Sequence, residues 1–289
     1  MKKYFSKAIL YICLFFMSVI FTLPLLVTLT NSFMGEAAIS FSYTTKLSYF
    51  DISDKIKTNF IDMSLIPKTA TLSQYKEVLL NQPSFIILLI NSIKITFPVV
   101  LGNIIISLFS AYGFTVWKWR YKELIFYIYI VVMLMPLQSV LVPNYIISDK
   151  MHILDNYLAI ILPGIFAPFG TFLLRQNMKN MPLEYFEAAY IDGASHLYSF
   201  LHIVIPQMKS GISALCMLVF IEYWNLVEQA VIFIKDYFRE PLSVYLSRLS
   251  SGMLGITFAA SCIYMFLPLL LLVLGQEDLE AGIELSGIK

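Results

Sequence analysis

Charge is the scarcest thing in this chain. Asp, Glu, Lys and Arg make up 13% of 289 residues, while 58% are hydrophobic. An ordinary domain carries roughly twice that share of charge. Too few charged groups remain to cover a water-facing surface, so a soluble globular protein is excluded, as is a disordered chain. Neither sign is in excess: 20 Lys and Arg stand against 19 Asp and Glu, a net charge of +1. That leaves no basic surplus to meet phosphates, and no nucleic-acid partner is expected. The three cysteines, Cys13, Cys216 and Cys262, lie far apart inside apolar runs. They offer neither metal spacing nor a disulfide framework and read as small hydrophobes. The histidines are also three, and His196 and His202 are six apart, on different sides of a helix. No glycine-rich G-x-x-x-x-G-K-[ST] loop, G-x-S-x-G elbow or H-E-x-x-H motif is present. The chain therefore shows no phosphate cradle, no hydrolase nucleophile and no metal set. No tandem repeat or low-complexity segment is visible either.

What the sequence has instead is long apolar runs. A helix needs about 20 mostly apolar residues to cross roughly 30 Å of hydrocarbon. Six stretches qualify: Ala8–Leu29, Phe85–Phe114, Leu124–Ile147, Tyr157–Leu174, Ile212–Ile234 and Ile256–Leu274. None alternates as a barrel strand would, so the expected fold class is all-α, a polytopic membrane protein with six transmembrane helices. The first run follows Lys2, Lys3 and Lys7, as a signal peptide would, but it is 22 residues long. No small-x-small cleavage site follows it, so it is expected to be retained. Within the runs, Pro98, Pro136, Pro163 and Pro268 are expected to kink or break helices.

Lys and Arg in the short loops set the orientation. With the N-terminus inside, ten of them fall inside, among them Lys118, Arg120, Lys122, Arg175 and Lys179. Nine fall outside, five of those in one long loop, which favours cytoplasmic N- and C-termini. The expected organisation is a first helix (1–32), an extracytoplasmic loop (33–84), a five-helix core (85–275) and a cytoplasmic tail (276–289). The core carries an inner loop at 176–210. In the outer loop, Thr71 and Gln74 form a T-x-x-Q pair, which predicts a capping box opening a short helix that ends near residues 81–83.

The inner loop is the most informative stretch. Asn180 can cap and Pro182 suits a first turn, while Glu184 and Glu187 favour a helix N-terminus. Leu183, Phe186 and Tyr190 form one apolar stripe, and Asp192-Gly193 ends the helix. A second helical pattern runs from Leu197 to Ile205 and stops before Pro206. Two short helices are thus expected to meet at a glycine hinge. Physics alone leaves open a surface-lying connector or a docking element.

Glu187-Ala188-Ala189, then Gly193, Ile203 and Ile205-Pro206, resembles the E-A-A-x3-G-x9-I-x-L-P loop of ABC importer permeases. It departs only at Ile205, where leucine is usual and little depends on the swap. Asn91-Ser92, Ala111-Tyr112, Met135-Pro136, Pro143, Ile191-Asp192-Gly193-Ala194, Trp224-Asn225 and the closing Gly287-Ile288-Lys289 resemble the carbohydrate branch, in particular the second permease subunit of maltose-type importers. The resemblance covers most of the chain from about residue 70 and implies a bacterial inner-membrane subunit. It implies a second homologous permease, a cytoplasmic ATPase dimer and an extracytoplasmic solute-binding protein as partners, with membrane lipid around them. No cofactor is bound directly, since ATP acts through the partner ATPase, and the chain itself is no enzyme. Carried over, Glu184, Glu187, Ala188, Ala189, Gly193, Ile203 and Pro206 couple to the ATPase. Glu187 would bond a basic ATPase residue, Ala188 and Ala189 would let the helix sit deep, and Gly193 would set the angle between the two short helices. A tail ending in Lys289 would approach the ATPases. Leu249-Ser250-Ser251-Gly252 has the look of an ATPase signature but falls in an expected outer loop and is set aside.

Polar residues inside apolar runs need a reason, because a charge at mid-bilayer costs about 2.5–3.5 kcal/mol on insertion scales. Glu222, Asn225 and Gln229 share one face of the fifth run, beside Trp224 and Glu228. Asn91 and Lys94 lie at a matching depth in the second, so Lys94 and Glu222 are expected to pair or to share a cavity with Asn91 and Asn225. These seven residues are the candidate substrate path, and ordering of helix packing is the plainer alternative. Rival readings are a permease for a polyamine or peptide, an ion-coupled transporter using Lys94 and Glu222 as a relay, and a membrane scaffold.

Overall fold

The computed structural model describes residues 2–43, 67, 70–182, 184–248 and 254–286. Among them every regular element is helical. Four helical stretches are long and apolar enough to cross a membrane, and two bent helix pairs bring the possible total to six. The chain divides into two compact units, Met1–Ile86 with Leu246–Phe266, and Ile87–Tyr245 with Leu267–Lys289.

In the first unit, α1 (Lys2–Ser32) runs through Pro24 without interruption. Its apolar side chains, Ile9 to Leu29, are exposed, as a helix clothed by lipid or by another chain requires. A short α2 (Glu36–Tyr43) follows. The outer-loop helix forms as α3 (Ser73–Lys76) and continues in a wide π turn, Glu77–Asn81, ending where expected. The capping box does not form. Thr71 Oγ1 accepts the Ser73 N–H (3.1 Å), while Gln74 is buried and turns its amide to Glu36 Oε2 (2.9 Å). A distant carboxylate outbids the local cap because Gln74 has left water and needs a strong acceptor.

The second unit is built on α4 (Pro83–Thr115), which continues through Pro98. The third run is folded at Met135–Pro136: α5 (Lys122–Met133) and α6 (Leu137–Lys150) meet at 100°. The fourth run is α7 (Leu158–Ile165) and α8 (Pro168–Lys179). Pro163 lies inside α7, and the interruption falls just before Pro168. Asn103, buried on α4, heals it by donating its amide to the carbonyls of Gly164, Ile165 and Ala167 at 3.0–3.3 Å. Freed carbonyls at membrane depth need such a donor, since lipid supplies none. Gly170 brings α8 onto α4 so closely that a Cβ there would strike Asn103 and Ser107.

The fifth run is not one helix. The chain forms α12 (Lys209–Trp224), breaks at Asn225–Val227, and resumes as α13 (Glu228–Phe233). After a short α14 (Leu242–Arg248), the last helix, α15 (Leu254–Ser286), passes through Pro268 and carries residues 276–286 of the expected tail as helix. Of the four prolines expected to kink or break helices, only Pro136 stands at a break. Proline costs one backbone bond, and at the other three positions the helix keeps the rest.

On the side opposite the inner loop, Asp155 adopts a left-handed φ of 56° and ties two loops together. Its carboxylate accepts the Asp236 and Lys235 N–H groups (3.1 and 3.0 Å), and Arg239 donates to its carbonyl (2.8 Å). These backbone donors, with the positive charges of Arg239 and Lys235, hold its carboxyl below the ordinary value. A lowered carboxylate value contributes stability above the unfolded value of about 3.9, lost as pH falls through the folded one. Hydrogen-exchange protection of the Lys235 and Asp236 amides, corrected for intrinsic rate, should therefore collapse below about pH 4 in the native chain. In Asp155→Asn that step should be absent.

Candidate functional site

The inner loop folds as two short helices with a sharp turn between them. The first, α9, spans Glu184–Ile191. The second is α10 (His196–Ser199), widened by a π turn at Phe200–Val204 and closed by α11 (Ile205–Gln207). Asn180 closes α8 as its C-cap. Leu183 lies outside the described residues, as do the side chains of Phe186, Glu187 and Tyr190.

The turn follows from its residues. Gly193 takes φ +77°, and Ala194 N–H returns to the Ala189 carbonyl at 2.9 Å while Asp192 N–H reaches Ala188. This is the six-to-one closure that a left-handed residue after a helix makes possible. Ser195 then caps α10, its Oγ accepting Tyr198 N–H at 3.2 Å. Phe200 anchors the second helix by stacking on Phe109 (4.8 Å) and meeting Tyr112 edge-on (5.2 Å), both on α4. Tyr112 Oη also donates to the His196 carbonyl at 3.3 Å.

Between the two helices lies an open hollow of about 910 Å³, lined by Ala188, Ala189, Gly193, Ile203 and Pro206 among others. Glu184 and Ala188 are exposed, and Ala189 is buried against the loop itself. Five of the seven residues singled out in this loop thus share one concave face, with Glu184 on the same helix and Glu187 placed there by its backbone alone. Open space surrounds Gly193, so any substitution there acts through φ and not through a clash. Asparagine tolerates φ > 0, whereas a β-branched residue does not. Gly193→Asn should keep partner co-purification near the native level, while Gly193→Val should lower it by about 5- to 30-fold.

The seven residues of the candidate path divide in two. Asn91 is buried and saturated: its amide donates to the Phe238 and Glu240 carbonyls (2.8 and 3.1 Å), and Tyr157 Oη donates to its oxygen (2.7 Å). These bonds tie it to the loop around residues 238–240. Trp224 is buried and stacks on Phe220 at 5.2 Å, and Gln229 is buried too. Lys94, Glu222, Asn225 and Glu228 are exposed. The expected Lys94–Glu222 pair is absent among the described residues, whose ion pairs include those of Arg175 with Glu123 and of Arg239 with Asp155 and Asp236. Glu228 accepts instead from Gln138 at 3.2 Å. Both expectations rested on depth along a helix, which says nothing of the direction a residue faces.

The sequence reading missed Arg175, which it counted as an inner-loop charge. Arg175 is 1% exposed. It donates to Glu123 Oε1 (2.6 Å) and the Phe114 carbonyl (3.3 Å), with its guanidinium 3.7 Å over the Phe126 ring. The sequence signal was a basic residue still in phase with the apolar face of the fourth run.

Residues 103–276 match the family model described as binding-protein-dependent transport system inner membrane component. The sn-glycerol-3-phosphate transport system permease protein UgpE of Salmonella choleraesuis is 30% identical over 179 residues, 60% of this chain and 64% of that protein. The chain thus spans somewhat under two thirds of that relative's length. The protein of the same name from Escherichia coli O6:H1 is 30% identical over 188 residues, 63% of this chain and 67% of the other. Among solved structures, a bacterial ABC transporter involved in the import of the acidic polysaccharide alginate has a chain that superposes with a TM-score of 0.78 at 19% identity, over 96% of this chain and 97% of that one.

Proposed function

The chain belongs to the inner membrane components of binding-protein-dependent transport systems, and from that premise we propose that it is the permease subunit of an ATP-driven carbohydrate importer. It forms the translocation path with a second, homologous permease and passes the work of a cytoplasmic ATPase dimer to that path. A solute-binding protein delivers the cargo from outside. Both termini and the α9–α11 loop lie in the cytoplasm, in keeping with the distribution of Lys and Arg.

The observation that carries this reading is the concave face between α9 and α10, with small residues on its floor and a glycine turn setting its angle. The loop seats in a cleft on the ATPase, where Ala188 and Ala189 let α9 sit deep and Glu187 supplies a charge-assisted bond to a basic residue. The path itself is drawn more narrowly than the sequence suggested, to Lys94, Glu222, Asn225 and Glu228. The break at Asn225–Val227 supports it, because interrupted helices at membrane depth line cavities or are buried in protein. A carbohydrate is the cargo class favoured by the resemblance of the sequence to sugar permeases. The chemistry of the exposed residues agrees, since carboxylate, amide and ammonium groups all bond hydroxyls.

The test is a mild-detergent pull-down of the chain tagged at its N-terminus, with co-purifying proteins identified by mass spectrometry. A near-stoichiometric ATPase and a second permease are expected. A chain that purifies alone and folded would overturn the reading and favour an ion-coupled transporter.

A further inference from the structure

The loop joining α4 to α5 reads Val116-Trp117-Lys118-Trp119-Arg120-Tyr121 and plays no part in the function proposed above. It rims a hollow of about 690 Å³ walled by Ser110, Phe114, Trp117, Lys118, Trp119 and His196. Trp117 is 54% exposed and Trp119 40% exposed, a large aromatic area for water to face. Lys118 and Arg120 are exposed as well. Nearby charge does not cancel theirs. Glu123 is held by Arg175 at 2.6 Å. Lys122 donates its ammonium to the Thr115 and Trp117 carbonyls, both at 3.2 Å, which covers the negative end of α4 and fixes the shape of the loop.

We propose that this hollow binds the phosphate headgroup of an anionic phospholipid of the cytoplasmic leaflet. The choice of leaflet rests on the orientation given under the proposed function. Three observations select a lipid over a soluble anion. The hollow lies where a 33-residue apolar helix ends and the next begins, at headgroup depth. Exposed indole rings beside cations are the pairing that membrane interfaces favour, ring against acyl chain and N–H toward the headgroup. A free phosphate would satisfy Lys118 and leave both indoles wet, whereas a phospholipid covers all of them. The site also touches the coupling loop. His196 opens α10, its ring lies 6.4 Å from that of Trp117, and Tyr112 holds its carbonyl. A headgroup seated there bears on α10, so membrane composition tunes coupling.

The test takes the full chain with whatever partners co-purify, in nanodiscs of phosphatidylcholine with or without phosphatidylglycerol, and reads retained lipid by native mass spectrometry. Phosphatidylglycerol should be retained over phosphatidylcholine, and the double variant Lys118→Gln, Arg120→Gln should reduce that preference roughly 30-fold, about 5-fold per cation. A variant-free reading guards against a misfolded mutant. Brominated phosphatidylglycerol should quench native tryptophan emission more than brominated phosphatidylcholine at equal density. Equal quenching, or a preference unchanged in the double variant, would overturn the site. Displacement of the retained lipid by excess inorganic phosphate would make the occupant a soluble anion and overturn the lipid assignment. Lipid preference in a chain that captures no ATPase would sink the proposed function and leave the site standing; an intact assembly without preference would do the reverse.

Discussion

Glu187→Arg should detach the ATPase while leaving the chain folded. The residue is the fourth of α9, and the fold of the loop depends on other groups: the Gly193 turn, the Ser195 cap and the Phe200 stack on α4. A reversed charge removes a charge-assisted bond and places two cations together. The loss is about 3 kcal/mol, roughly 100-fold in affinity. Glu187→Gln keeps an acceptor oxygen and should cost nearer 10-fold. The measurement is the ratio of co-purified ATPase to tagged chain, alongside ATP-dependent uptake in vesicles. Both should fall together, and the thermal unfolding midpoint of the isolated chain should not move. An unchanged ratio in Glu187→Arg would remove the coupling role from this residue.

Arg175→Ala should have the largest effect on the chain itself. The side chain is 1% exposed and links three helices: Phe114 at the end of α4, Glu123 and Phe126 on α5, and its own α8. Truncation removes two bonds, the ring contact and most of a large buried volume, for about 3–5 kcal/mol. Arg175→Lys should rescue little, since an ammonium can neither fork between two acceptors nor lie flat on a ring. Glu123 is 54% exposed, so its carboxylate can return to water when the arginine is gone. Removing the carboxylate is costly too: Glu123→Ala strands a buried guanidinium, whereas Glu123→Gln leaves it an acceptor and should cost about 1 kcal/mol. Unfolding midpoints in detergent for the four variants should rank Gln mildest, with Arg175→Ala and Glu123→Ala lowest. Equal midpoints for Glu123→Gln and Glu123→Ala would show that the bond contributes nothing.

Much of this protein could be read before any coordinates. Hydrophobic runs too long for a globular core made it a helical membrane protein, because backbone groups in lipid must bond within their own helix. The form of the inner loop was legible for a different reason. Its turn depends on a residue's own backbone freedom, and Gly193 at φ +77° behaves as a glycine after a helix does in isolation. Local rules failed wherever a distant partner competed. Gln74 left its capping role for Glu36, and Asn91, placed on the path by depth, was claimed by carbonyls some 147 and 149 residues away. Arg175, counted as a loop charge, was drawn inward by Glu123, the Phe114 carbonyl and the Phe126 ring. Composition and periodicity alone determined the class of the chain, its apolar runs and the two short helices of its inner loop, since each is a property of residues close in sequence; the coupling role given to that loop rests on the resemblance of its motif. Which polar side chains lie open and which hold the packing was decided only in the tertiary structure, because a buried donor or acceptor bonds whatever partner the fold brings to it.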